Sequence, residues 1–223
     1  MKIGMVLFDG VTILDFIGPY EVFQQVDGWE VFPIGFRKGN ITCHGGLKVH
    51  IEFQLSEMND LDIFFVPGGF GVNDVMQNSK FIEEIFRLAK SSKYITSVCT
   101  GSLILACAGL LKNKKATSHW RSLDLLAKFG SIPTKERVVV DGNCITGAGV
   151  TSGIDFALTL VKQLKGETYA KELELWIEYD PEPPMKSGNP SSWTKQSISP
   201  ILEKTKAARE FREKLIDQLT GTS

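Results

Sequence analysis

Apolar runs recur along the first two-thirds of the chain, separated by segments with a helical period. Residues 2–8 and 62–66 are apolar almost without interruption, and residues 29–36 and 94–98 have strand character. Strands apolar on both faces are buried on both faces, so the pattern predicts a mostly parallel sheet covered by helices on either side. Helical periodicity falls on residues 18–26, on Phe81, Ile82, Ile85, Phe86 and Ala89 behind an Asn78 or Ser79 cap, and on residues 100–111 and 122–129. Gly45-Gly46 and Asp141-Gly142 each sit between short strand-like runs and predict turns, the second a hairpin. Ser152 with Asp155 has the spacing of a capping box, opening a helix whose apolar face is Ile154, Ala157, Leu158 and Val161.

The composition shifts abruptly at residues 181–200, PEPPMKSGNPSSWTKQSISP, which reads as an arm. One helix is expected after it, capped by Ser199, with Pro200 in its first turn and Ala208, Phe211, Leu215 and Leu219 on one face. The expected organisation is an α/β domain over residues 1–180, then an arm and helix over 181–223 that pack on the domain or on a dimer partner.

With 223 residues, the chain has length enough for one sizeable core. A net charge of −1 offers no concentrated basic surface, so neither nucleic acid nor an anionic membrane is an expected partner. The longest apolar stretch, residues 103–111, is about half of the ~20 residues a bilayer span needs. The amino-terminal run is too short for a secretory signal, and a cytoplasmic location is the expectation. Cys43, Cys99, Cys107 and Cys144 form no C-x-x-C pair and have too few histidines nearby to complete a metal set, which speaks against a disulfide scaffold or a metal site.

Cys99 stands apart because it falls where strand 94–98 gives way to the helix from residue 100. A nucleophile on such an elbow is exposed at the sheet's edge with backbone N–H groups beside it, and small residues must flank it. Gly101 fits, whereas Ser97 stands where the stricter elbow pattern has glycine. Two readings stand for the thiol, an inert core cysteine and an activated nucleophile. A helix dipole supplies only about one pKa unit, so activation needs another group. Thr100 follows directly, so there is no adjacent Cys-His pair. His119 reads equally as pocket wall, core residue or base, and His44 and His50 as structural. Pro67-Gly68-Gly69 ends another strand and should share the carboxyl edge of the sheet with Cys99, where ligands bind in such folds.

Several segments together resemble the ThiJ/PfpI superfamily, and most closely its isonitrile hydratases. They are Leu14-Asp15-Phe16-Ile17-Gly18-Pro19, Pro67-Gly68-Gly69, Cys99-Thr100-Gly101-Ser102, Ala116-Thr117-Ser118-His119-Trp120 and Gly153-Ile154-Asp155-Phe156-Ala157-Leu158. The likeness runs nearly end to end, and Glu178-Tyr179-Asp180-Pro181-Glu182-Pro183-Pro184 looks like the arm of the stand-alone enzymes. Sensor domains of AraC-type regulators share most of these motifs, but they carry a further helix-turn-helix region.

The resemblance implies a three-layer sandwich of the class I glutamine amidotransferase-like, flavodoxin-like kind. It also implies a homodimer, no cofactor, and a small-molecule isonitrile hydrated to an N-substituted formamide. Position by position it implies Cys99 as nucleophile, Asp15 close to the sulfur and Thr100 beside it. Gly68, Gly69, Phe70 and His119 would line the pocket or steady charge. Without it, Asp15 would read as an exposed carboxylate or helix cap. Two negative charges in one pocket repel, so one of the pair must hold a proton; a thiolate at Cys99 would leave Asp15 protonated, as general acid. The alternatives are a ligand-binding or redox-sensing protein, or another cysteine hydrolase or glyoxalase-like enzyme of the superfamily. Asn113 departs from the pattern, standing where relatives have glycine, and should be harmless.

Overall fold

A computed structural model describes residues 1–221. The chain runs β1 (Lys2–Leu7), α1 (Ile13–Gln24) and β2 (Glu30–Gly35), then β3 (Gly39–Thr42), β4 (Lys48–Ile51), β5 (Phe53–Gln54) and β6 (Ile63–Val66). Next come α2 (Val72–Gln77), α3 (Ser79–Ser91), β7 (Tyr94–Val98) and α4 (Gly101–Cys107), followed by β8 (Lys115–Ala116) and β9 (Ile132–Pro133). The remainder is β10 (Val138–Asp141), β11 (Cys144–Gly147), α5 (Ser152–Lys165), α6 (Glu167–Trp176), α7 (Lys195–Lys204) and α8 (Lys206–Thr220).

The main sheet has the order β10-β11-β7-β6-β1-β2-β5, and every pairing is parallel except that of β10 with β11. Ile63, Phe64, Phe65 and Val66 of β6 are all fully buried, as continuous apolarity requires when both faces are covered. Helices α1, α5 and α6 pack together on one face, and α2, α3 and α4 on the other. The result is the three-layer α/β sandwich expected. Gly153 lets α5 lie against α1, because a Cβ there would sit 3.0 Å from the Pro19 ring. No helix among the described residues is long and apolar enough to cross a membrane.

The turns fall where expected: β3 and β4 flank Gly45-Gly46, and Asp141 pairs with Cys144 across the second hairpin. Asn78 caps α3 by accepting from the Phe81 N–H at 3.1 Å. Other expectations need correction. Helix α1 begins at Ile13 and runs through Gly18-Pro19, because burial of Phe16, Val22 and Phe23 outweighs the backbone bond that proline removes. Helix α4 is one short segment, and residues 124–129 form a 3-10 turn. The capping box at Ser152 does not form. Thr151 is the cap residue, the Ser152 hydroxyl donates to the Gly149 carbonyl, and the Asp155 carboxylate is drawn away to Arg137 and the Tyr179 hydroxyl.

The single carboxyl-terminal helix is two, α7 capped by Thr194 and containing Pro200, then α8. Leu215 and Ile216 are buried, whereas Phe211 and Leu219 face outward, so the anticipated stripe is rotated. Asn113 takes φ +60°, the left-handed conformation that asparagine tolerates in place of glycine.

Candidate active site

Strand β7 ends at Val98, and Cys99 follows in the left-handed region at φ +57°. For an L-residue that conformation costs roughly 1–2 kcal/mol and survives only where surrounding bonds impose it. Here the Cys99 N–H donates to the Gly147 carbonyl at 3.0 Å, and its own carbonyl accepts from the Ser102 and Ser118 hydroxyls at 3.1 and 3.0 Å. A Cβ on Gly101 would lie 2.1 Å from the Val66 carbonyl oxygen, so only glycine lets α4 start against the end of β6. Because the backbone at Cys99 suits glycine, Cys99→Gly should unfold at higher denaturant than Cys99→Ala, by about 1 kcal/mol. Chemical denaturation of the two variants checks this, and equal stabilities would remove strain from the account of the elbow.

Asp15 reaches the same point from the first turn of α1 and is fully buried. Its Oδ2 accepts from the Gly68 N–H at 3.1 Å. The other oxygen, Oδ1, is buried without a conventional partner among the described residues, and the group the carboxyl meets is the Cys99 thiol. Gly68 must be bare for this approach, since a Cβ would fall 2.5 Å from the Thr100 nitrogen and 2.9 Å from Asp15 Oδ2. The Gly69 N–H donates to the Thr100 hydroxyl at 3.0 Å. Cys99, Asp15, Thr100, Gly68 and Gly69 therefore meet at the carboxyl edge of the sheet.

Burial pushes the Asp15 carboxyl up to about 7, against the smaller opposite pulls of Cys99 and the Gly68 N–H. Burial also raises the Cys99 thiol, and the neighbouring Asp15 charge raises it further, while the Thr100 N–H and hydroxyl favour ionised sulfur. Two charges in this pocket are disfavoured, so oxygen and sulfur share a proton across the pair. One expectation needs correction, that of the backbone donors: the Gly68 and Gly69 N–H groups are already engaged by Asp15 and Thr100.

Phe70 lies at the rim, 61% exposed, with its ring stacked on His44 at 3.9 Å between centroids. His44, read from sequence as structural, thus forms an exposed platform with it. His119 is half-buried, its Nδ1 accepts from the Arg121 N–H at 3.3 Å, and burial with Arg212 and Arg121 lowers its basicity. It is held neutral near the site. Arg212 was not anticipated at all. Its Nε donates to Asn73 Oδ1 at 2.9 Å and its Nη1 to the Ser122 hydroxyl at 3.0 Å, tying α8 to α2 and to the turn after His119.

Residues 1–163 match the DJ-1/PfpI family. The chain belongs to that family. Among its DJ-1/PfpI relatives, an isonitrile hydratase of Pseudomonas putida is 38% identical over 218 residues, 98% of this chain and 96% of the relative. The crystal structure of a ThiJ/PfpI family protein from Pseudomonas syringae is similar with a TM-score of 0.93 at 37% identity, covering 96% of this chain and 90% of that one. Drosophila melanogaster DJ-1beta shares the fold, with a TM-score of 0.72 at 23% identity over 79% of this chain and 97% of its own. Arg212 lies beyond the residues that match the DJ-1/PfpI family.

Proposed function

We propose that the protein is a cysteine-dependent isonitrile hydratase, converting an isonitrile and water to an N-substituted formamide. The observation that carries this reading is the Asp15 carboxyl against the Cys99 sulfur on a strained elbow, in a chain 38% identical over nearly its whole length to an isonitrile hydratase.

The chemistry needs a nucleophile and a proton at one carbon, which this pair supplies. Asp15 takes the thiol proton as Cys99 sulfur bonds to the terminal carbon, then delivers it to that carbon, leaving S–CH=N–R on the enzyme. Water adds across the C=N bond, giving one proton to nitrogen. The C–S bond then breaks as the C=O forms, and Asp15 returns the remaining proton to sulfur. The formamide leaves with the atoms of one isonitrile and one water. Thr100, whose N–H and hydroxyl favour ionised sulfur, assists the attack and the departure. The residues need no metal or organic cofactor for this sequence.

Formamide release from an aryl isonitrile by the purified protein tests the proposal. Absence of turnover over a panel of alkyl and aryl isonitriles, with Cys99 free and reduced, would overturn it.

We further propose a homodimer working in the cytoplasm. The four unpaired cysteines suit a reducing compartment. Leu175, Trp176 and Met185 are each at least 72% exposed, an apolar surface suited to a second copy. Sedimentation at micromolar concentration should give twice the chain mass, and Trp176→Glu should shift it toward the monomer; a monomeric wild type would refute the dimer.

A further inference from the structure

Where β1 and β2 end, residues of both strands, of α2 and of the start of α3 enclose a cavity of about 240 Å³. Its floor is apolar, with Leu7, Phe8, Ile41 and Val75 all buried. Phe36 and Phe81 wall one side, their rings stacked at 5.0 Å between centroids. Phe81 is buried and Phe36 is 38% exposed, so the stack carries the apolar wall out to the surface. The backbone beside the cavity is fixed: the Gly10 carbonyl accepts from the Phe70 and Gly71 N–H groups at 2.9 and 3.2 Å, and Val11 bridges to Gly69. Asp15, Cys99 and Thr100 take no part in the lining.

Three charged side chains, Asp9, Arg37 and Asp74, stand exposed at the mouth. Asp9 is already matched, since Oδ1 accepts from the Thr42 N–H at 2.7 Å and Oδ2 from Arg37 Nη2 at 3.2 Å. Asp74 has no ion pair among the described residues. Lys80 borders an adjoining surface depression with Asp74 but does not line the cavity, and Lys38 is paired with Glu57. Asn78 is committed to capping α3. Two carboxylates against one guanidinium leave the mouth one negative charge in excess, above an apolar interior.

An anion entering here would meet two carboxylates and an arginine already neutralised. A neutral apolar molecule would leave Asp74 unmatched. An organic cation with an apolar tail satisfies both the charge and the floor. Size agrees, because a cavity of about 150 Å³ accepts a benzene ring, and the larger volume here leaves room for a short chain beside it.

We propose that this cavity is a second binding site, for a small organic cation: an ammonium group at Asp74 carrying an aromatic ring or short alkyl chain between the Phe36–Phe81 stack and Val75. The inference rests on this cavity and not on the reaction proposed at Cys99.

Phenethylammonium, titrated into the isotope-labelled protein and followed by backbone amide chemical shifts, tests it. Wild type should bind with a Kd of about 1 mM or tighter, the shifts centring on Asp9, Phe36, Gly71 and Val75. Phenethyl alcohol, which keeps the shape without the charge, should bind at least about threefold more weakly, and phenylpropionate at least about tenfold. Asp74→Asn should weaken the ammonium about threefold and leave the alcohol within about twofold of its wild-type affinity, and high salt should erase the difference between the proteins. Val75→Phe, which fills the cavity, should abolish the shifts from both probes. No shifts at about 20 mM probe, or shifts centred elsewhere, would overturn the proposal. So would an alcohol or carboxylate that binds as tightly as the ammonium, or wild-type affinity for the ammonium in Asp74→Asn. Should Val75→Phe fail to fold, the three probes on wild type and Asp74→Asn decide by the same outcomes.

Discussion

Cys99→Ala should lose formamide production from an aryl isonitrile by a factor of about 10³ or more, since every bond-making step passes through the sulfur. The loss should fall on kcat, with the protein still folded. A methyl group in place of the thiol leaves the Gly147, Ser102 and Ser118 contacts, which are made by the backbone of residue 99. Single-turnover kinetics offers the sharper reading: wild type should accumulate an adduct one isonitrile heavier, detectable by intact mass, and Cys99→Ala should not. Turnover by Cys99→Ala within tenfold of wild type would end the mechanism.

The second large effect is on stability. Folding raises the Asp15 pKa from 3.8 to about 7 by burying it, so the folded chain holds that proton more tightly than the unfolded one. For a raised pKa, stability is fullest below the unfolded value and declines as pH climbs through the folded one. Three units at about 1.4 kcal/mol each set an upper limit of about 4 kcal/mol lost between roughly pH 4 and 7. Asp15→Asn carries no titrating carboxyl and can still accept from the Gly68 N–H. It should therefore be more stable than wild type by a few kcal/mol at pH 8, and the difference should shrink toward zero near pH 4. Urea midpoints of both proteins across this range provide the measurement; a difference that does not change with pH would mean that Asp15 keeps an ordinary pKa. The same variant should lose at least about 10²-fold in turnover, because its amide cannot relay the proton. A gain in stability with a loss in activity separates a reacting carboxyl from a structural one.

Much of this was legible in the residues because the signals were local. Continuous apolarity in residues 63–66 stated that both faces of that strand are covered, and strand-terminal positions placed Pro67-Gly68-Gly69 and Cys99 on one edge. Gly45-Gly46, Asp141-Gly142 and Asn78 are short-range turn and cap signals, and each does locally what its type predicts. Local signals failed where a distant partner competed. Asp155 had the spacing of a cap but is claimed by Arg137, 18 positions away. Gly18-Pro19 looked like a helix start, yet packing against α5 carried α1 through it.

The chain's own order of residues determined the layered α/β architecture, the sharp strand-to-helix turn and the thiol upon it, because each depends on neighbours within a few positions. Only the tertiary structure decided the burial of the Asp15–Cys99 pair and the arrival of Arg212 against Asn73 and Ser122. Asp15, Cys99 and Arg212 are separated by 84 and 113 positions in the sequence. The electrostatic state of such a group depends on how completely water is removed and which charges stand within a few ångströms, and no periodicity along the chain encodes either.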